Sequence, residues 1–338
     1  MKISYLFGAG ASKQALPIVN EIPTRIKEVL QLLKSENFKM SDTEQYDDLK
    51  LQLSKADIQK TLIDDIEWLL SHSENHASID TFAKKLFIKG KNEDLDKLKA
   101  AFSVYLIVEQ LINKADKRYD SFYASLLNHN YYEFPSNLRI LSWNYDSQFE
   151  LSFSDYTENK NIGSNKSYLN VITKYTYDKP RGSKFCLLKL NGTTNILQDN
   201  GFREYYYISE YGDDFTVKHF DKILRNYAAI RLAKFHLFSG LSFAWERYGK
   251  PENDIIQHAK NETYDTEVLI VIGYSFPYFN REIDREIIGN MTMLKKVYFQ
   301  APDADILKER FLSIRNDLKS EGLLARFDVG QFLLPNEL

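Results

Sequence analysis

The stretch Lys2-Ile3-Ser4-Tyr5-Leu6-Phe7-Gly8-Ala9-Gly10-Ala11-Ser12 decides the reading of this chain. The alternating run from Lys2 to Phe7 predicts a short buried strand. Gly8 and Gly10 predict a tight turn, and Ser12 opens a less regular segment. A strand, a glycine turn and a helix or loop start form the context in which backbone N–H groups hold a phosphate. Glycine suits such a turn for two reasons: a Cβ would keep a pyrophosphate at a distance, and glycine reaches positive φ. The fuller pattern G-x-G-x-x-G is not completed, because Lys13 stands where the third glycine would be. A tight turn in an α/β sheet, with no ligand, is the plain alternative.

Composition narrows the class. The chain has 338 residues, room for two domains or for one domain with a large insertion. It is 43% hydrophobic and 27% charged, which predicts a globular core. The net charge of −3 gives no overall footprint for nucleic acid. No apolar run approaches the roughly 20 residues of a membrane span. The opening Met1-Lys2-Ile3 carries no signal-peptide pattern, so a cytoplasmic protein is expected. The single cysteine, Cys186, sits in Phe185-Cys186-Leu187-Leu188, a setting that predicts a core thiol and not a nucleophile. One cysteine excludes an intrachain disulfide and a thiolate zinc ribbon, and no metal is expected.

After Leu16-Pro17 and Ile22-Pro23, residues 24–130 read as helical. Ile26, Leu30 and Leu33 share one face, and Ile58, Leu62, Ile66, Leu69 and Leu70 form a second stripe. Ser78 or Asp80 is placed to cap a helix that Gly90 ends. Asn92, followed by Glu93 and Asp94, starts another that runs to Ile112. Ser121 starts a short one. Trp68 and Phe102 read as core. Strand character returns at Leu138-Arg139-Ile140-Leu141-Ser142. Residues 156–177 read as a variable loop with short strands. Phe185 to Leu190 is another apolar run, and Tyr205 to Ile208 a short strand or hairpin arm. Helical spacing resumes from Phe220 to Trp245 through Ile223, Ala229, Leu232 and Phe235. Val268 to Ile272 is almost continuously aliphatic, as a strand covered on both faces should be. Asn280 to Ile288 reads as a helix, and Lys296 to Gln300 and Arg326 to Val329 as late strands.

Strands alternating with helices predict an α/β fold, a doubly wound parallel, Rossmann-like sheet, with a large helical insertion after the first strand. Residues 1–23 and 131–338 would form the nucleotide-binding domain and residues 24–130 the helical subdomain. Polar clusters then fall at predicted strand ends: Gly8 to Ser12, Asn144 to Asp146, Asn191 to Thr193, and Gly273 to Ser275. The carboxyl ends of parallel strands are where such sheets bind ligands, so these clusters point to one shared crevice. Asn144 and Asp146 also have a plain alternative as caps of the next helix.

In this order, Gly8-Ala9-Gly10-Ala11-Ser12, Ser142-Trp143-Asn144-Tyr145-Asp146, Lys189-Leu190-Asn191-Gly192 and Ile272-Gly273-Tyr274-Ser275-Phe276 resemble the motifs of the sirtuin family. More closely, they are similar to the bacterial sirtuin-like NAD hydrolases of antiphage defence systems. The resemblance runs from Lys2 to Val329, excluding most of the helical block. It implies an NAD glycohydrolase that releases nicotinamide and ADP-ribose. It assigns Gly8, Ala9, Gly10 and Ser12 to the pyrophosphate, and Gly273 and Ser275 to the adenosine-side phosphate and ribose. Asn144 would contact the nicotinamide ribose and orient the attacking water, and Asp146 would bind the nicotinamide carboxamide. It also implies assembly, as a homo-oligomer or with a phage-sensing partner such as an ATPase, an Argonaute-type protein or a nucleotide-sensing subunit. Neither nucleic acid nor a membrane is an expected partner.

The chain departs from that family twice. Protein-deacylating members carry a four-cysteine zinc module that Cys186 alone cannot make, which favours hydrolysis of NAD over deacylation. The family places a general-base His immediately before the glycine of the third motif, and here Asn191 stands in that catalytic position. An amide does not accept a proton at neutral pH as imidazole does. His219, His236 and His258 are the spare bases, each with a plain reading as a surface or core histidine. A binding-only sensor or scaffold subunit is therefore the competing reading, and an ADP-ribosyltransferase a third.

Overall fold

Ile3, Tyr5 and Phe7 pack into one hydrophobic cluster and Leu6 into another, so the first strand is buried on both faces. Burying each such side chain stabilises by about 1.5–3 kcal/mol. The strand, β1 (Ile3–Phe7), is the middle strand of a parallel sheet of seven in this computed structural model. The structure describes residues 1–128, 133–175, 184–199, 201, 203–212, 214–233, 236–247 and 254–338. The other strands are β2 (Leu138–Ser142), β3 (Val171–Ile172), β4 (Cys186–Lys189), β5 (Gly192–Gln198), β6 (Glu204–Tyr206), β7 (Phe238–Leu241), β8 (Val268–Ile272), β9 (Lys296–Gln300) and β10 (Leu323–Arg326). The helices are α1 (Ile22–Leu33), α2 (Lys55–Asn75), α3 (Ile79–Ile88), α4 (Asn92–Ile112), α5 (Lys117–Leu126), α6 (Gln148–Thr157), α7 (Ile162–Tyr168), α8 (Val217–Arg231), α9 (Ile255–Thr263), α10 (Arg281–Gly289) and α11 (Ala304–Leu312).

The large sheet has the order β10-β9-β8-β1-β2-β4-β3, with parallel pairing throughout. Helices cover both faces. Tyr119, Phe122 and Tyr123 of α5 and Phe149 and Phe153 of α6 join the cluster around Tyr5 and Phe7. Ile255 of α9, Ile283 and Ile287 of α10, and Leu307 and Phe311 of α11 join the cluster around Leu6. This is the doubly wound arrangement. The chain leaves β1 for β2 on one side and returns to β8 on the other, so the strand order reverses at β1. In such sheets the crevice outside the carboxyl ends at the reversal is the ligand position.

The chain divides into two compact units. The first, Met1–Gln14, Ala115–Gly192 and Ser242–Leu338, contains the large sheet. The second, Ala15–Lys114 and Thr193–Leu241, contains α1 to α4, α8 and the small sheet β6-β5-β7. Within the second unit α2 starts with a capping box between Ser54 and Asp57. It buries Ile58, Leu62, Ile66 and Leu69, the predicted stripe, while Leu70 is half-buried. The buried carboxylate Asp65 on α2 accepts from Tyr227 Oη at 2.6 Å and from Arg231 Nε at 2.9 Å, and pairs with Lys97 at 3.0 Å. A buried carboxylate with three partners is one that the interior tolerates.

The segment between β1 and β2 is thus a large helical insertion, as the sequence predicts. Its limits differ from the predicted 24–130: the second unit starts at Ala15, stops at Lys114 and takes in Thr193–Leu241. Asn130 lies outside the described residues. Helix α5 starts at Lys117, not at Ser121, because Asp116 caps it by accepting from the Arg118 amide at 3.0 Å. The loop expected over 156–177 holds α7, capped by Asn161 through the Ser164 amide; Tyr177 lies outside the described residues. The helical spacing read from Phe220 to Trp245 stops at Arg231, and β7 follows. Phe235 lies outside the described residues. The last strand is Leu323–Arg326, three residues before the predicted start, and α11 was not anticipated.

Candidate functional site

The four polar clusters follow β1, β2, β4 and β8, and those strands are neighbours in the order β8-β1-β2-β4. Parallel pairing puts their carboxyl ends on one edge of the sheet. The ladder runs on past the strands: Gly8 N donates to Ile272 O at 3.0 Å, Trp143 N to Phe7 O at 3.0 Å and Leu190 N to Ser142 O at 2.9 Å.

At the order reversal the turns after β1 and β8 touch. A Cβ on Gly8 would lie 2.6 Å from Tyr274 Cα, and one on Gly10 2.8 Å from Gly273 Cα. Gly273 has a φ of +61°, and a Cβ there would lie 2.4 Å from Ala11 N. These glycines are therefore required by turn-against-turn packing before any ligand is considered. Gly10 N donates to Gly273 O at 3.0 Å and Ala11 N to Gly8 O at 2.9 Å. Of the amides expected to face a phosphate, that of Gly10 thus ties the two turns together and that of Ala11 closes the first turn on itself. What the turn leaves exposed is its tip, Ala9. On the other turn Ser275 is exposed, and its carbonyl accepts from Arg310 Nη1 at 2.7 Å.

Ser12, Asn144 and Asp146 come together. Ser12 Oγ donates to Asp146 Oδ2 at 2.8 Å and accepts from Asn144 Nδ2 at 3.3 Å. It also lies 3.0 Å from the Tyr119 hydroxyl on α5. A hydroxyl has one proton and two lone pairs, so Tyr119 is the donor in that last contact. The other Asp146 oxygen, Oδ1, accepts the Gln148 amide at 3.1 Å and so caps the start of α6. Asp146 thus caps α6 with one oxygen and receives the Ser12 hydroxyl with the other. Burial is the main force raising the Asp146 carboxyl above its ordinary range, opposed first by the charge of Lys189. Lys189, itself buried, donates to the Asp146 carbonyl and pairs with Glu150 at 2.9 Å.

Asn191 is held differently. Its Nδ2 donates to Trp143 O at 3.1 Å, and its Oδ1 accepts the Ala244 amide at 2.9 Å. Both ends of the side-chain amide are committed to the backbone of neighbouring loops. Of the spare histidines, His258 lies on α9 in the first unit. His219 and His236 belong to the second, where the His219 ring takes part in the cap of α8 and His236 is exposed. Among the described residues no group of three or more His, Cys, Asp or Glu side chains is placed to hold a metal ion. No helix among them is long and apolar enough to cross a membrane. Cys186 is buried, and that burial pushes its thiol up to about 12.

A second buried carboxyl supports the turn after β8. Asp284 on α10 accepts from the Tyr274 hydroxyl at 2.9 and 3.1 Å, and Asn280 Nδ2 donates to the same hydroxyl at 3.2 Å. Burial pushes Asp284 up from 3.8 to about 8, with the Tyr274 hydrogen bond as the main opposing influence. The Trp143 indole lowers it too, without a hydrogen bond of ordinary geometry. The native state holds this proton between about pH 4 and pH 8 while the unfolded chain has released it. The stabilisation is full below about pH 4 and is lost as pH rises through about 8, by at most about 1.4 kcal/mol per unit. Thermal melts should therefore show a midpoint drop between pH 5 and pH 8 that shrinks in Asp284→Asn. An equal drop in both proteins would show that Asp284 ionises normally.

The sequence singled out Ser12, Asn144 and Asp146, but not Tyr119, Lys189 and Glu150 as their supports. Lys189 was the available signal, a charge inside an otherwise apolar run.

No protein-family model matches the chain, and no curated protein matches it. Solved structures similar to it include a complex of a Sir2 homologue with NAD, 12% identical, with 93% of this chain and 89% of that one covered and a TM-score of 0.36. Another is a mutant Sir2 homologue in complex with ADP-ribose, 12% identical, with 93% and 92% covered and a TM-score of 0.36.

Proposed function

We propose that this chain binds NAD at the carboxyl edge of its large sheet and hydrolyses it to nicotinamide and ADP-ribose. The observation that carries the reading is the convergence of Ser12, Asn144 and Asp146 beside the glycine turns at the strand-order reversal. The residue types fit the ligand. The exposed tip at Ala9, with Gly10 behind it, receives the pyrophosphate, and Gly273 and Ser275 face its adenosine side. The Asp146 carboxyl suits a carboxamide, which offers a donor and an acceptor. Asn144 contacts the ribose and places water, work that needs a fixed dipole and no proton transfer. Breaking the nicotinamide–ribose bond builds positive charge on the ribose carbon, and a carboxylate environment favours it. Loss of NAD by this route would serve antiphage defence, in a complex that the helical unit helps to assemble.

One observation favours the sensor or scaffold reading. Asn191, in the general-base position of the resemblance, is occupied at both ends by backbone partners. Base assistance worth about two to four orders of magnitude is therefore missing at that position. The test is incubation of the chain with NAD while free nicotinamide is followed by chromatography, with light scattering on the same sample for assembly. Release of nicotinamide supports the hydrolase. Binding of NAD or ADP-ribose with no release leaves the sensor, and no binding removes both.

A further inference from the structure

The α5 start carries a buried charge that the candidate chemistry does not use. Arg118 is 5% exposed, and Asp116 is 2% exposed. The guanidinium forks onto the carboxylate, Nε to Oδ1 at 3.0 Å and Nη2 to Oδ2 at 2.6 Å. Nη2 also donates to the carbonyls of Gly10 and Ala11, both at 3.1 Å. Nη1 reaches Val329 O at 3.4 Å, and the group lies over the Phe332 ring at 5.2 Å. Asp116 Oδ2 further accepts the Gln14 amide at 3.0 Å. One ion pair thus grips the glycine turn at Gly10, Ala11 and Gln14.

We propose that Arg118 is the positioning residue of the Gly8–Ser12 turn. In each trans peptide the carbonyl and the following N–H point in opposite directions. Fixing the Gly10 and Ala11 carbonyls on the guanidinium therefore fixes the Ala11 and Ser12 amides, and with them where the Ser12 hydroxyl starts. Only arginine supplies this: a planar fork that satisfies a carboxylate through Nε and one Nη2 hydrogen and shares the other Nη2 hydrogen between the two carbonyls. A lysine at 118 keeps the charge but not the fork. The consequence for ligand binding rests on the reading that this turn receives the pyrophosphate of NAD.

The experiment compares wild type, Arg118→Lys and Asp116→Asn by amide hydrogen exchange, thermal melting and calorimetry with NAD. Exchange at Ala11 and Ser12 should rise tenfold or more in both variants, with Tyr5 to Phe7 unchanged. The melting midpoint should hold in Arg118→Lys, which keeps the charge, and fall in Asp116→Asn, which leaves the buried guanidinium without its carboxylate. NAD affinity should fall tenfold or more alongside. Wild-type exchange at Ala11 and Ser12 in a folded variant overturns the proposal. So does a rise spread over β1 with a lowered midpoint in Arg118→Lys, which makes Arg118 an ordinary core support. If wild type takes no NAD, the dinucleotide reading fails, and the exchange data still decide whether Arg118 sets the turn.

Discussion

Lys189→Met is expected to cost about 3–5 kcal/mol of stability, the range for removing one partner of a buried ion pair. Lys189 is 1% exposed and Glu150 2% exposed, with 2.9 Å between the charged atoms. Methionine fills much the same volume, so the loss comes from the charge and not from a cavity. The Glu150 carboxylate would be left in the interior with no countercharge. It would also lie beside Asp146, whose carboxyl Glu150 pushes up and Lys189 holds down. Asp146 would then bind its proton still more tightly, and its hydrogen bond from Ser12 would lose its charge assistance. The double variant Lys189→Met with Glu150→Gln should recover a large part of the loss, because it leaves no unpaired charge. Urea unfolding followed by circular dichroism measures all three. A single variant within 1 kcal/mol of wild type would mean that the pair is not formed in solution.

The placement of Lys189 marks what the sequence makes legible and what it leaves out. The run from Phe185 to Leu190 is apolar on both faces of a strand, and β4 appears there. What a lysine within such a run pairs with depends on the neighbouring strand and helix, which periodicity does not report. The glycines behave alike. The alternation before Gly8 and the aliphatic run before Gly273 locate two strand ends, and both turns are found there. That the two turns press on each other is a fact of strand order, β8 beside β1, and strand order is not written in either segment. Their glycines consequently answer to Tyr274 and Ala11 before they answer to a phosphate. A bulky residue at Gly10 would disturb the fold as well as any ligand, so it is a poor probe of binding. Asp116 and Arg118 escaped notice because they lie in a long helical stretch rich in charges, where nothing local separates a buried ion pair from a solvated one.

Asn144→Ala is the substitution that decides where the chemistry lies. Asn144 follows β2, and its amide is held by Ser12 Oγ at 3.3 Å. Its backbone N donates to Ser142 Oγ at 3.1 Å, which fixes the loop independently of the side chain. Truncation should therefore spare the fold. If the chain hydrolyses NAD, the rate should fall by about two or more orders of magnitude, the scale of losing one preorganised polar group. Asn191→His bears on the same step from the other side. An imidazole there restores a group that titrates near neutrality. The ring nitrogen that replaces Oδ1 must, however, give up the Ala244 N–H before its lone pair is free to take a proton. The gain should therefore be positive but smaller than the usual two to four orders of magnitude of a placed base. Nicotinamide release at saturating NAD measures both variants. Turnover that survives in Asn144→Ala would put the reacting centre away from the Ser12–Asn144–Asp146 cluster, with that cluster left as the hydrogen-bonded support of α6.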